Sequence, residues 1–281
     1  MAKKRNYEVG EDVHRVAVYA DAQVPYHDPR AFALFLEFLH VEREEGRPFS
    51  HVVNLGDEWD AEQFSTNFAR DPRAVERVRR DRDTVRNRFR RLRESSPDSE
   101  IIWVEGNHEF RLFRYLRDKA PEILMLLTEG EEAPDVPTIL GLDVPVTYIA
   151  PYGEMYQHKF GKKNTFVFKH GDSVSVYAAK KELETVGASG MSGHTHRFQV
   201  ASLTKQAGHQ SAWWSLPAMC NIRGTQCPPG YMTGSGYRQW QQGFADIWFG
   251  DKDDLFEVNT HIVENGKMIA GGRLFKDVRG T

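Results

Sequence analysis

An α/β fold with parallel strands near the centre of its sheets is predicted by three features of this 281-residue sequence. Apolar, β-branched runs alternate with amphipathic stretches of helical period. Each run stops at an Asp, Asn or His, as expected where ligands gather at the carboxyl ends of strands. Beyond Phe198 strand follows strand without helices between, which predicts antiparallel pairs and hairpins.

The elements follow in order. His14 to Ala20 reads as a buried strand closed by Asp21. Asp28-Pro29 is an N-cap and first-turn pair for a helix that buries Phe32, Phe35, Leu36 and Leu39. A second strand runs through Val52, Val53 and Leu55 to Gly56-Asp57. A third, Ile101 to Val104, ends at Gly106-Asn107-His108. A fourth, Thr165 to Phe168, ends at His170, and a short one near Ala188 to Ser192 ends at Gly193-His194.

Later runs at Gln199 to Thr204, Trp213 to Leu216, Ala245 to Phe249 and Phe256 to Val263 complete the strands, with Glu264-Asn265-Gly266-Lys267 as a turn. Arg70 to Glu94 carries eleven arginines against five acids, yet Val75, Val78, Val85, Phe89 and Leu92 keep a helical stripe. This predicts a long amphipathic helix with a basic outer face. Cys220 to Gly243 is rich in Gly, Pro and aromatics, including Tyr231, Tyr237 and Trp240, and reads as a long irregular loop. With no internal repeat and no low-complexity linker, residues 1–281 read as one domain.

Composition narrows the function classes. A net charge of −3 gives no bulk attraction to nucleic acid or membrane. No apolar run approaches the roughly 20 residues of a membrane span. Met1 to Tyr7 has the positive charge of a signal peptide without its apolar stretch, which predicts a protein that stays in the cytoplasm. Cys220 and Cys227 are too few for a disulfide framework, and their spacing matches no common zinc motif. They read as reduced thiols.

The chemistry lies in four strings: Gly56-Asp57-Glu58-Trp59-Asp60, Gly106-Asn107-His108-Glu109, His170-Gly171-Asp172 and Gly193-His194-Thr195-His196. With Asp21 they supply the oxygen and imidazole donors that two divalent cations need. Two such cations about 3.5–4 Å apart polarise a phosphoryl group and ionise the attacking water. Asp57 is the candidate bridge. Asn107 offers a neutral oxygen, and His108 stays free to protonate the departing oxygen, oriented by Asp60. The alternatives are a metal-ligating His108 and a helix-capping Asp60. His194 and His196 point the same way if the chain is extended, and both ligate only if the loop straddles two metals.

These strings resemble the calcineurin-like metallophosphoesterase family, whose pattern is Asp-x-His, Gly-Asp-x-x-Asp, Gly-Asn-His-Glu, a lone His and Gly-His-x-His. The resemblance spans roughly residues 14 to 200. It implies a β-sandwich flanked by helices, one metal on Asp21, Asp57 and His196, and a second on Asp57, Asn107, His170 and His194. It makes His108 the proton donor and Asp60 its support. The chain departs from the pattern at Gln23, which stands where the family has His. An amide oxygen is harder and weaker than imidazole, which tilts preference toward Mn²⁺ or Mg²⁺, with Ni²⁺, Fe²⁺ and Zn²⁺ behind. His27 is the alternative ligand, or a surface residue after Pro25. The string Asp21-Ala22-Gln23-Val24-Pro25-Tyr26-His27-Asp28, with Trp240 to Phe244, looks like a subgroup common among bacteriophage and bacterial proteins. A phage-encoded member would work in the host cytoplasm.

Fold alone does not choose a substrate. Protein-phosphatase members of the family carry Arg after Gly-Asp-x-x-Asp, and this chain has Ala61. The Arg-rich helix could track a phosphate backbone and the aromatic loop could stack bases, although interspersed acids equally suit a solvated face. The expected substrate is a phosphodiester, in DNA, RNA or a nucleotide. The rivals are a phosphomonoesterase on small metabolites and a metal-binding scaffold with little turnover, which Gln23 favours and His108 opposes.

Overall fold

Successive residues of a strand face opposite sides, and β1 (Val13–Tyr19) buries both. Val16 and Val18 join one apolar core, Ala17 and Tyr19 another. The sheet holding β1 is therefore covered on both faces, and the strand reads as a continuous apolar run. The computed structural model describes residues 12–65, 72–128, 133–204, 210–223 and 239–277, with side chains in the second segment from residue 75 on.

β1 is followed in its sheet by β2 (His51–Asn54), β3 (Glu100–Val104) and β4 (Thr147–Ile149), all parallel. The second sheet has β5 (Tyr156–Phe160), β6 (Asn164–Lys169), β7 (Gly190–Ser192), β9 (Gln210–Ser215) and β8 (Gln199–Thr204) in that spatial order. On the far side of β1 the first sheet adds β10 (Gln242–Gly250) and β11 (Phe256–Val263), each antiparallel to its neighbour. β6, β7 and β9 are parallel, so the region beyond Phe198 is mixed where antiparallel pairing alone was expected.

Val53, Leu55, Ile102, Ile247 and Phe249 of the first sheet meet Phe160, Phe166, Phe168 and Met191 of the second. On the outer face of the first sheet lies α1 (Pro29–Glu44), capped by the Asp28 carboxylate and burying Phe32, Phe35, Leu36 and Leu39 as the sequence predicts. α6 (Ala178–Val186) covers the second sheet with Ala179 and Leu183 against Val167 and Trp213. The architecture is a mixed-sheet sandwich flanked by helices. β12 (Lys267–Ala270) and β13 (Arg273–Lys276) form a separate hairpin. The turn before it holds Asn265 at φ 51° and Gly266 at φ 70°, as a tight hairpin turn requires.

The basic helix α2 (Pro72–Ser95) differs from expectation at both faces. Val85, Phe89 and Leu92 are buried, but Val75 is 64% exposed. The first turns rest on the polar segment after Asp60 instead: Arg77 pairs with Glu62, and Gln63 donates to Asp81 at 2.6 Å. Nor are all the arginines on an outer face. Arg88 is buried, pairs with Glu58 and lies 3.7 Å over the Phe32 ring, while Arg90 is paired with Asp143. Residues 224–238 of the Gly/Pro/aromatic stretch, with Cys227, Tyr231 and Tyr237, lie outside the described residues, as does Arg70. Three short helices, α3 (Phe110–Lys119), α4 (Pro121–Leu127) and α5 (Val136–Leu140), follow β3. Among the described residues no helix is long and apolar enough to cross a membrane.

Candidate metal centre

Parallel strands end at a common edge, and the motif residues sit just past the ends of β1, β2, β3, β6 and β7. Five of them leave the extended conformation abruptly. Asp21, Gln23, Asp57, His194 and His196 all adopt left-handed backbone, with φ between 51° and 69°. That conformation costs an ordinary residue about 1–2 kcal/mol, and such strain clusters at functional sites. It also answers the question of His194 and His196. The loop is not extended there, and the two rings diverge into different clusters.

The first cluster gathers Asp57, Asn107, His170 and His194. Nδ1 of His170 donates to the Leu55 carbonyl at 2.8 Å, which turns Nε2 into the cleft. Nε2 then faces Asn107 Oδ1 at 3.0 Å, His194 Nδ1 at 3.1 Å and Asp57 Oδ2 at 3.3 Å. Burial opposes a charged His170, but the adjacent Asp57 carboxylate overrides it and holds the pKa up at about 10. Burial, with His170 beside it, pulls His194 down to about 4, leaving a bare lone pair at neutral pH. Burial acts to raise Asp57, and the imidazoles of His108 and His170 together pull it well below the usual carboxylate range. Asp57, His170 and His194 each place a donor atom within 4.8 Å of the others. A carboxylate, an amide oxygen and two imidazoles around one point are the donor set of a divalent transition metal.

The second cluster holds Asp21, Gln23 and His196. His196 Nε2 lies 3.4 Å from Asp21 Oδ1 and 3.1 Å from the Gln23 amide nitrogen. Gln23 is buried, and its Oε1 has no hydrogen-bond partner. A buried, unsatisfied acceptor is costly, and a bound cation would satisfy it. The backbone N–H of His194 donates to the Asp21 carboxylate at 2.9 Å, joining the two clusters. Gly193 allows this approach, because a Cβ there would stand 2.6 Å from Asp21 Oδ2. Gln23, and not His27, faces His196. His27 is partly buried rather than a surface residue, bridges to Cys220 through the backbone, and is held down to about pKa 3 by burial and then Arg88.

His108 and Asp60 also meet. His108 Nδ1 lies 3.0 Å from the Asp60 carbonyl and 3.1 Å from Asp60 Oδ2, while its Nε2 faces Asp57 Oδ2 at 3.6 Å. Asp60 is buried, and the short helical turn Glu62–Phe64 that follows it has Ala61 at its N-cap position.

The comparisons with known proteins come from phages and from distant structures. The "Gene 54 protein" of Mycobacterium phage D29 is 26% identical, with 94% of this chain and 96% of the relative aligned. Its namesake from Mycobacterium phage L5 is 25% identical, over 94% and 97%. Chaetomium thermophilum Vps29, in complex with a RaPID-derived cyclic peptide, is similar over 89% of this chain and 96% of its own, at TM-score 0.40 and 13% identity. A nuclease MPE from Pseudomonas putida is similar over 82% and 83%, at TM-score 0.32 and 12% identity. No family model matches the chain. At these TM-scores the two structures set neither the fold nor the chemistry, which rest on the topology and geometry above.

All nine residues singled out by the sequence therefore lie at one edge of the sandwich. Three more residues carry much of the geometry, none of them given this place by the sequence. Glu109 accepts backbone N–H groups from Asp57 at 2.9 Å, Trp59 at 2.8 Å and Gly106 at 3.0 Å, tying two motif loops together. Burial, then the Asp57 charge, push its pKa well above the usual range against those donors. Trp240 packs its ring 4.2 Å from that of His196. Arg111 touches both His108 and Asp60. Glu109 belongs to the Gly106-Asn107-His108-Glu109 string and Trp240 to the aromatic loop, where a role was legible; Arg111 carries no local signal.

Proposed function

We propose that the chain is a calcineurin-like, divalent-metal-dependent phosphoesterase that hydrolyses phosphodiesters, those of nucleic acid or nucleotides first among them. Asp57, Asn107, His170 and His194 would hold one cation, and Asp21, Gln23, His196 and the shared Asp57 the other. The observation that carries this reading is the convergence of three polar atoms within 3.3 Å of His170 Nε2, beside a His108–Asp60 pair at 3.1 Å. Bound cations would supply Lewis-acid polarisation of the phosphoryl group and a lowered water pKa. The oxygen-rich second cluster favours Mn²⁺ or Mg²⁺ over Zn²⁺.

The chain's own residues do the rest. His108 places Nε2 beside the first cluster, 3.6 Å from Asp57 Oδ2, where once protonated it can serve the departing ester oxygen. Asp60 fixes the ring through Nδ1. Glu109 keeps the Asp57 and Asn107 loops at a set separation. Arg79 and Arg80 are exposed on α2 and available to a phosphate backbone, in contrast to the paired Arg88 and Arg90. The phage relatives support a setting in the cytoplasm of a host cell.

The test is hydrolysis of bis-para-nitrophenyl phosphate, of the monoester para-nitrophenyl phosphate, and of labelled single- and double-stranded DNA and RNA, with Mn²⁺, Mg²⁺, Ni²⁺ and Zn²⁺ in turn. Diester hydrolysis that is strongest with Mn²⁺ is expected. Hydrolysis of monoesters alone would move the substrate to small metabolites. No hydrolysis with any cation would leave a scaffold and overturn the reading.

A further inference from the structure

His108 and Asp60 share a third neighbour, the guanidinium of Arg111 on the first turn of α3. One Arg111 nitrogen donates to the Asp60 carbonyl at 2.9 Å and to its Oδ1 at 3.3 Å. The other lies 3.0 Å from His108 Nε2. Arg111 is thus a cation in contact with both members of the pair. Its side chain is 17% exposed, so it is neither a buried structural ion nor a free surface charge.

Donor accounting fixes what this contact means. His108 Nδ1 faces two acceptors, the Asp60 carbonyl and carboxylate, and so carries a hydrogen. A guanidinium only donates, so the Nε2 it faces presents a lone pair. Nε2 is the atom from which a proton must reach an ester oxygen. Arg111 therefore occupies the position next to Nε2 that the ester oxygen needs. Its first nitrogen is anchored on Asp60 and its second rests against His108 Nε2.

Resting on the phosphoesterase reading, we propose that Arg111 is a phosphoryl-binding residue. When substrate enters, the nitrogen of Arg111 that faces His108 Nε2 donates instead to a non-bridging phosphoryl oxygen, and the vacated Nε2 takes up a proton from water before it can serve the ester oxygen. A planar guanidinium presents two parallel donors, which suits a phosphoryl group better than a flexible ammonium does. Ala61, the residue after Asp60, brings no charged group of its own, and the guanidinium beside the pair comes from α3.

Arg111→Ala and Arg111→Lys, compared with the wild-type full chain, test this. Calorimetric binding of inorganic phosphate to the Mn²⁺-loaded proteins is the first readout, and metal content by mass spectrometry the control. Arg111→Ala is expected to keep its metal and weaken phosphate binding about 10- to 100-fold, the range of one charge-assisted hydrogen bond. Arg111→Lys should recover part of the loss. In hydrolysis the loss should fall on KM more than kcat, and equally on nitrophenyl and alkyl diesters. Unchanged phosphate affinity would overturn the proposal. So would a loss confined to the alkyl ester, which would make Arg111 a positioner of His108. A wild type that binds metal and phosphate but cleaves no ester would overturn the hydrolase reading and leave Arg111 judged by phosphate binding alone. A wild type that binds no phosphate would overturn both.

Discussion

The two halves of the centre use the same kind of strand end and differ in how fully their donors are directed. In the Asp57 half, His170 is aimed by the Leu55 carbonyl at 2.8 Å, and its Nε2 already faces three polar atoms. In the Asp21 half, an amide stands among the donors, with its oxygen buried and unsatisfied. A ring nitrogen oriented by a backbone carbonyl is a prepared ligand. A neutral amide on a flexible side chain is a weaker one. The difference teaches that the centre is asymmetric: one cation is expected to bind tightly through the His170 half and the other loosely through the Gln23 half.

The largest effect that could break this comparison comes from the residue shared between the halves. Asp57→Asn should cut affinity for both cations by more than about 10²-fold, beyond what loss of a merely supporting residue costs. Hydrolysis should fall with it while the circular dichroism spectrum stays native. Two cations retained at ordinary affinity would show that Asp57 bridges nothing.

Next in size is His108, which belongs to neither half. His108→Asn should keep both metals and lose about 10²- to 10⁴-fold in turnover on an alkyl or nucleotide ester. The loss should be smaller on a nitrophenyl ester, because a good leaving group needs no proton. Loss of a cation in this variant would instead make His108 a ligand.

Gln23→His sharpens the comparison directly. It should tighten the weaker site by about tenfold or more and shift it toward Zn²⁺, leaving the stronger site as it was. Calorimetric titration with each ion reads both. Unchanged affinity at the weaker site would mean that Gln23 takes no part in it.

The smallest effect separates site histidines from those that only fill the sandwich. At the opposite end of β1, His158 contacts His14 at 2.7 Å and packs on His51, and burial, then those two rings, hold its pKa down to about 3. The folded value lies below the ordinary 6.5, so the unfolded chain takes up the proton first. This contribution to stability is whole above about pH 6.5 and is lost as pH falls toward 3. His158→Gln should flatten the decline of the melting temperature between pH 7 and 4 by a few degrees relative to wild type. Parallel curves would remove His158 from the account.

Much of this was legible in the sequence because it is local. A strand buried on both faces reads as an unbroken apolar run, and a side chain at its end reads as the polar residue that stops it. Asp21, Asp57, Asn107 and His170 were placed at the sheet edge that way. β5, with Tyr156-Gln157-His158-Lys159-Phe160, was not, because an edge strand with alternating polar residues has no such run. Arg88 looked like one more surface arginine. It is buried because Glu58, 30 residues away, receives it. Arg111 was missed for the same reason: its partner Asp60 comes from another strand end. The divergence of His194 and His196 depends on left-handed backbone that neither residue type signals strongly.

The central claim is that two cations share Asp57, one held tightly and one loosely. A Mn²⁺ titration of the full chain followed by electron paramagnetic resonance tests it most directly. The account predicts two Mn²⁺ per chain at saturation, the first giving an uncoupled spectrum and the second converting it to an exchange-coupled pair. In Asp57→Asn the coupled spectrum should not appear. Saturation at one Mn²⁺, or two Mn²⁺ that never couple, would contradict it.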